Sequence, residues 1–280
     1  MIPPAPTGKP SVCAVSYLNT VPLVWGLLHD EALQPVFDLR FALPSRCADE
    51  LRSGEADLGI VPVIEMARQK LDYFPDIGIS SIGAVRSILL ISRVPLREIK
   101  TLATDAGSRT SVMLARIILG EKFGATPHLI SQPPELATML GSADAALVIG
   151  DAALYLDPEK LPFETLDLGA EWTSLTGLPM VFAVWAGRRE VVREPYGKAL
   201  RDSCRYGLER LSEIVPREAA ARKLDEPLVR RYFSEYIKFE FGPQHAEGLA
   251  QYLKRALALD KIQVPGAEIP AATISGGHSA

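Results

Sequence analysis

An eight-residue block occurs twice in this chain. Gly54-Glu55-Ala56-Asp57-Leu58-Gly59-Ile60-Val61 comes back as Gly141-Ser142-Ala143-Asp144-Ala145-Ala146-Leu147-Val148. A helix-like stretch precedes each copy, at 48–52 and at 135–140. Each copy reads as a helix that stops at a glycine able to take a positive φ and turns at once into a buried apolar strand. A doubled helix-turn-strand unit suggests two α/β lobes of one design, and such lobes commonly hold a small ligand in the crevice between them. Gly-x-Ala-Asp is also a common helix stop that can arise twice, and these residues alone favour neither reading.

Short apolar runs alternate with helical patterns over the first two thirds. Strands are expected at 11–15, 37–42, 57–61, 77–82, 87–92, 101–104, 128–131, 145–149, 164–168 and 180–186, and helices at 21–29, 45–53, 63–69, 111–123, 134–140 and 151–155. That alternation is the α/β signature. S-I-L-L-I-S and A-A-L-V-I-G lack alternating polarity and read as strands buried on both faces, as in a parallel sheet. From Tyr196 onward the apolar spacing is helical. A second helix is expected after Asp225 as N-cap, with Tyr232, Phe233, Tyr236 and Ile237 on its apolar side, and a third over 245–259.

The natural division is discontinuous. Lobe one is residues 8–93 plus 184–270, including the C-terminal helices laid onto it; lobe two is 94–183. Crossings near 92–95 and 179–184 serve as hinges, and the Gly/Ser/Ala-rich stretch 271–280 is expected to be a disordered tail. This is the plan of a two-lobed type II periplasmic-binding-protein-like fold, which by itself does not fix a function.

Composition narrows the class. The 280 residues suffice for two ordinary α/β domains. A net charge of −4, from 30 basic and 34 acidic residues, argues against a nucleic-acid partner. Cys13, Cys47 and Cys204 are scattered, and the four histidines show no metal-ligand spacing, so no metal is expected and a reducing compartment fits. No run approaches the length of a membrane helix, and M-I-P-P-A-P-T-G-K has no basic n-region or long apolar h-region. The expectation is a cytoplasmic protein with no membrane partner.

Ligands of open α/β sheets collect beyond the carboxyl ends of strands, where helix N-termini point N–H groups outward. Four segments have that character. In Ser16-Tyr17-Leu18-Asn19-Thr20-Val21-Pro22-Leu23, Thr20 or Asn19 can cap the next helix; if Thr20 caps, the Asn19 carboxamide is free to face the crevice. In Gly83-Ala84-Val85-Arg86-Ser87, Ser87 opens a strand beside the first crossing, with no His–Asp set nearby to make a nucleophilic triad. Asp105-Ala106-Gly107-Ser108-Arg109-Thr110-Ser111 precedes a helix and combines glycine, three hydroxyls and an arginine, a combination suited to a carboxylate or phosphate. It is neither a Walker loop nor a dinucleotide fingerprint. In Ile149-Gly150-Asp151, Gly150 permits close backbone approach and Asp151 reads as a helix N-cap or a base. Trp172 is expected in a loop near the second crossing.

Side by side, S-Y-L-N-T-V-P-L, D-L-G-I-V-P-V-I-E, V-R-S-I-L-L-I-S-R-V-P-L, S-R-T-S-V-M-L-A-R-I-I-L, I-G-D-A-A-L and L-G-A-E-W-T-S-L-T-G-L-P-M-V-F-A-V-W-A resemble the chorismate dehydratases of the futalosine route to menaquinone. The match runs in order from about residue 11 to 260. Ala84 departs from the Gly-Pro-Val that such proteins carry there. The related 1,4-dihydroxy-6-naphthoate synthases have a Cys-Pro-Asn-Asp-like segment after the first strand, where this chain has S-Y-L-N-T.

The resemblance implies a cofactor-free hydro-lyase that converts chorismate to 3-[(1-carboxyvinyl)oxy]benzoate and water, as a monomer or homodimer. On that basis Asn19 and Ser87 are the catalytic candidates, and Tyr17, Ser108, Arg109, Thr110, Ser111, Gly150 and Asp151 the substrate-binding ones. Whether Arg46, Arg86 or Arg109 pairs with a substrate carboxylate stays open. The competing readings are a solute-binding protein for a small carboxylate and the naphthoate synthase.

Overall fold

The computed structural model describes residues 8–260 apart from 106 and 108. The expected tail at 271–280 lies outside the described residues. The first half runs β1 (Ser11–Val15), α1 (Val21–His29), β2 (Asp38–Ala42), α2 (Pro44–Ser53), β3 (Leu58–Pro62), α3 (Val63–Gln69), β4 (Asp72–Ser81), β5 (Ile88–Ser92) and β6 (Thr101–Thr104). It continues with α4 (Arg109–Phe123), β7 (His128–Ser131), α5 (Leu136–Ser142), β8 (Ala145–Ile149), α6 (Asp151–Leu154), β9 (Glu164–Asp167) and α7 (Leu168–Thr176). The rest is β10 (Met180–Gly187), α8 (Tyr196–Leu208), α9 (Leu211–Arg222), α10 (Glu226–Arg231), β11 (Lys238–Glu240) and α11 (Pro243–Asp260).

Two mixed sheets form two lobes. The first has the order β2-β1-β3-β10-β4-β11 and the second β7-β6-β8-β5-β9. The plans match. In each, three parallel strands are followed by a strand arriving from the other lobe and pairing antiparallel: β10 against β3 and β4, β5 against β8 and β9. β5 is buried along its whole length, as S-I-L-L-I-S predicts, but it is antiparallel to both neighbours. A central strand covered on both faces is apolar throughout whichever way its neighbours run, so its composition does not carry its direction.

The exchanged strands also move the lobe boundaries. β5 belongs to the second sheet, so the first crossing falls between β4 and β5, ahead of the expected 92–95. All of β10, from Met180, belongs to the first sheet. The C-terminal helices are not confined to lobe one. α8 packs on α1, whereas α11 packs on β10, α3 and α4 and so touches both lobes. Gly248 of α11 leaves no room for a side chain, because a Cβ there would sit 2.1 Å from the Pro179 carbonyl oxygen at the second crossing.

The doubled block proves to be a strand-pairing device. Asp57 accepts the Ser11 N–H at 2.9 Å and donates its own N–H to the Ser11 carbonyl at 2.9 Å, which ties the start of β1 to β3. Asp144 accepts the Lys100 and Thr101 N–H groups, each at 2.9 Å, and the Thr101 hydroxyl at 3.0 Å, which ties the start of β6 to β8. The helix stops differ, however. Gly54 ends α2 at φ 79°, as expected, but Gly141 lies inside α5, and extended Ala143 (φ −142°) follows that helix. The aspartate is therefore the functional part of the repeat, and the glycine is not.

The stretch expected to be a loop around Trp172 is α7. Asp167 caps it by accepting from Gly169 and Ala170 N–H, and Gly177 ends it at φ 72°. Trp172 is fully buried and its Nε1 donates to the Pro179 carbonyl at 3.1 Å, so its role is packing under the second crossing.

Replacing Asp144 with Ala removes charge-assisted bonds from the first residues of β6. D144A is expected to lower unfolding stability by about 1–3 kcal/mol, read by urea denaturation. An unchanged midpoint would show that the repeated aspartate does not hold the strand pair.

Candidate active site

The seam between the sheets opens into a cleft of about 610 Å³, including its solvent-open part. It lies beyond the carboxyl ends of β1, β3 and β8 and at the N-terminus of α4. Its wall is mostly apolar, with Ile60, Ile79, Ile88, Ile149, Phe182 and Ile237 prominent. Seven of the sequence candidates line it: Tyr17, Asn19, Ser87, Arg109, Thr110, Ser111 and Gly150. Ser108 lies outside the described residues. Asp151 is not in the lining.

Asn19 sits in a 3-10 turn, Leu18–Thr20, that runs straight into α1. Neither Asn19 nor Thr20 caps the helix through its side chain. The turn is closed by the Thr20 N–H on the Tyr17 carbonyl at 3.0 Å, and the Thr20 hydroxyl donates to Asn19 Oδ1 at 3.3 Å. The amide thus has one oxygen lone pair occupied and remains directed at the cleft.

Ser87 ends the first crossing and is held from both sides. Its carbonyl accepts the Gly150 N–H at 2.8 Å, and its hydroxyl accepts the phenol of Tyr232 at 2.8 Å. Tyr232 is buried and begins a five-residue π-helical segment, Tyr232–Tyr236. Burial pushes its phenol well above the ordinary tyrosine range, against the pull of the hydrogen bond to Ser87. The sequence pattern assigned Tyr232 to an apolar helix face; nothing local signals its link to Ser87.

The turn before Ser87 is pinned by Asp167. Its carboxylate accepts from Val85 N at 2.9 and 3.1 Å, from Arg86 N at 2.6 Å, from Gly169 N at 2.9 Å and from Ala170 N at 3.1 Å. Burial raises its pKa, against the opposing pull of these N–H groups. Arg86 takes a left-handed φ of 65°, and its guanidinium donates to the carbonyls of Ala153, at 2.9 Å, and Leu156. Ala84 in place of proline therefore does not leave this turn unsupported.

Gly150 has φ 62° and ψ −143° and faces the Tyr17 ring; a Cβ there would meet Tyr17 Cε2 at 3.2 Å. Only glycine suits both the backbone and the close approach. Burial, with Asp105 and Asp151 nearby, pushes the Tyr17 phenol up to about 12, so it is a neutral donor.

Asp151 and Arg109 turn out to join the lobes. Asp151 accepts the Leu18 N–H at 3.0 Å and pairs with Arg222 of α9 at 3.0 Å. Arg109 reaches from α4 to Glu65 of α3 at 2.9 Å and to Asp49 of α2 at 3.5 Å. Glu65 is also paired with Arg52 at 3.0 Å and Arg68 at 2.8 Å. Arg46 is taken by Glu50 and Glu55. So each of the three arginines left open by the sequence is engaged by the protein itself. What α4 offers the cleft is its N-terminal turn with Thr110, a buried residue whose Oγ1 has no hydrogen-bond partner among the described residues, and Ser111.

Fold and cleft together define a two-lobed protein of the periplasmic-binding-protein-like fold with a cleft in the seam. Among solved structures, a protein from Archaeoglobus fulgidus superposes with a TM-score of 0.75 at 15% identity, covering 91% of this chain and 99% of that one. The periplasmic aliphatic sulphonate binding protein of Escherichia coli does so with a TM-score of 0.61 at 16% identity, covering 91% and 87%. The chain belongs to the menaquinone biosynthesis family, whose model matches residues 10–258. It is 32% identical over 255 residues to the chorismate dehydratase of Thermus thermophilus (84% of this chain, 91% of the relative). It is 26% identical over 252 residues to that of Campylobacter jejuni (88% and 97%).

Glu65 supplies a pH test of the lobe contact. Burial opposes its ionisation, but the Arg68 hydrogen bond and the charges of Arg109 and Arg68 hold its pKa below the ordinary 4.5. Its stabilisation is therefore present above that value and is lost as pH falls through the lower folded-state value. E65Q is expected to cost about 1–2 kcal/mol at pH 7, less than a fully buried pair because its arginine partners are partly exposed. It should also flatten the acid limb of stability against pH, measured by denaturant unfolding; an unaltered acid limb would remove Glu65 from the lobe contact.

Proposed function

We propose that this protein is a hydro-lyase that converts chorismate to 3-[(1-carboxyvinyl)oxy]benzoate and water, in the cytoplasm and without a cofactor. The observation that carries the proposal is that Asn19, from lobe one, and Ser87, at the first strand of lobe two, line one cleft. The chorismate dehydratase relatives supply the substrate class.

The chemistry asks for little beyond this. The C–H bond beside the enolpyruvyl ether breaks, its electron pair forms the new ring double bond, and the neighbouring hydroxyl leaves with a proton as water. The ring becomes aromatic, so the step is downhill, and the protein contributes orientation, desolvation and hydrogen bonds. Asn19 and Ser87 hydrogen-bond the reacting edge. None of the described residues lining the cleft is Asp, Glu or His. This supports the substrate's own enolpyruvyl carboxylate as the base. The α4 N-terminus with Thr110 and Ser111 holds a carboxylate through neutral donors and the helix dipole, and Tyr17 donates from the opposite wall. The apolar side chains exclude water around the ring. Arg109 and Asp151 serve the site by keeping the lobes together.

Mixing purified protein with chorismate and following ultraviolet absorbance tests the reading. Catalytic conversion to the aromatic product is expected; stoichiometric binding of unchanged chorismate would make the protein a binder instead. N19A and S87A should each lower turnover by about 100-fold. N19D should lower it as well, since it sets a like charge beside a dianion. Near-normal turnover by both alanine variants would overturn the assignment.

A further inference from the structure

We infer that Tyr232 is a positioning residue for the reaction, setting the direction of the Ser87 hydroxyl from behind the cleft wall. The inference rests on the dehydratase reading and adds a third side chain to it.

The argument is one of hydrogen-bond arithmetic. Ser87 is 2% exposed, and the partner of its hydroxyl among the described residues is Tyr232, at 2.8 Å. A serine hydroxyl has a single hydrogen. With the phenol donating, that hydrogen is not needed inside the protein, and Ser87 can present it to the cleft it lines. If the phenol were absent, the hydroxyl could rotate freely among its staggered positions. Tyr232 thus fixes the hydroxyl of Ser87.

The local backbone fits this role. In the segment that begins at Tyr232, the Ile237 N–H reaches back five residues to the Tyr232 carbonyl at 3.0 Å. Such wide turns recur at functional sites because they re-aim a side chain. Here the segment links α10 to β11, and Ile237 at its end lines the cleft. Tyr232 itself is outside the lining, so it acts through Ser87 and does not touch substrate. Burial keeps the phenol protonated, which suits a fixed donor and not a base.

The test is Y232F, which keeps the ring and removes the hydroxyl, measured beside wild type, S87A and S87A/Y232F. Wild-type turnover of chorismate comes first; its absence overturns the dehydratase reading and this inference together. With wild type active, Y232F is expected to lose about tenfold in kcat, with KM changed less than about threefold and the fold intact by thermal melting. The double variant should turn over no more slowly than S87A, because removing the donor is without effect once its acceptor is gone. A Y232F kcat within about twofold of wild type, losses that multiply in the double variant, or a melting temperature lowered by more than about 10 °C would each overturn positioning while leaving the dehydratase reading standing.

Discussion

The carboxylate of Asp167 is the point on which the site's geometry turns. One side chain both caps α7 and gathers the backbone N–H groups of the first crossing at Val85 and Arg86. Gly83 is tied to the same helix through Thr173, and Gly169 lies so close under the turn that a Cβ would meet the Gly83 carbonyl oxygen at 2.7 Å. The turn that ends at Ser87 is thereby made part of lobe two. A rotation of one lobe against the other has to be taken up upstream of Gly83, and Ser87 travels with β5, β8 and the α4 terminus as one body. Such a body keeps the Ser87 hydroxyl in register with the first turn of α4, whereas Asn19 belongs to the other body.

Charge at the seam is engaged by the protein itself. Arg86 is spent on carbonyls, Arg109 on Glu65 and Asp49, and Arg222 on Asp151 and Glu218. A guanidinium already held by a buried carboxylate is a poor partner for a second anion, because drawing it away would leave Glu65 with fewer counter-charges. The polar groups left to the cleft are therefore hydroxyls, an amide and a helix terminus. Neutral donors have to be aimed, since their attraction falls off faster with misalignment than that of a charge. Aiming is what the surrounding ties to Ser87 and Asn19 provide, and it links recognition to catalysis: the donors that select the ligand are preorganised for the transition state.

Much of this was legible from the chain. β1, β6, β7, β8, α1 and α3 have the expected bounds, because each is a short apolar run or amphipathic turn closed by local signals. Seven site residues fall in the cleft because strand-end turns line it wherever the fold is of this kind. What escaped depends on partners distant in sequence. The direction of β5 is invisible when both faces are buried. α7 was hidden because Gly169 and Gly177 look like loop residues, although one permits close packing under the crossing and the other ends the helix. Arg109 looks like an anion ligand beside three hydroxyls; its attachment to Glu65 of the other lobe has no local sign. Tyr232 is 145 positions from Ser87 and sits on what reads as an apolar helix face.

The two halves of the duplicated scaffold are equivalent in plan and unequal in chemistry. β1 and β6 hold the same place in their sheets, each tied at its start by the aspartate of the repeated block. The segment leaving each strand enters the cleft. After β1 it is a tight 3-10 turn that runs into a nine-residue helix and exposes an amide, Asn19. After β6 it leads to the first turn of the fifteen-residue α4, with Thr110 unpaired among the described residues. The turn after β1 thus brings an amide to the cleft, whereas the segment after β6 brings the buried hydroxyl of Thr110. Doubling the scaffold thus sets two opposed strand ends at one seam, and the difference between their turns gives each side of the cleft its own polar group.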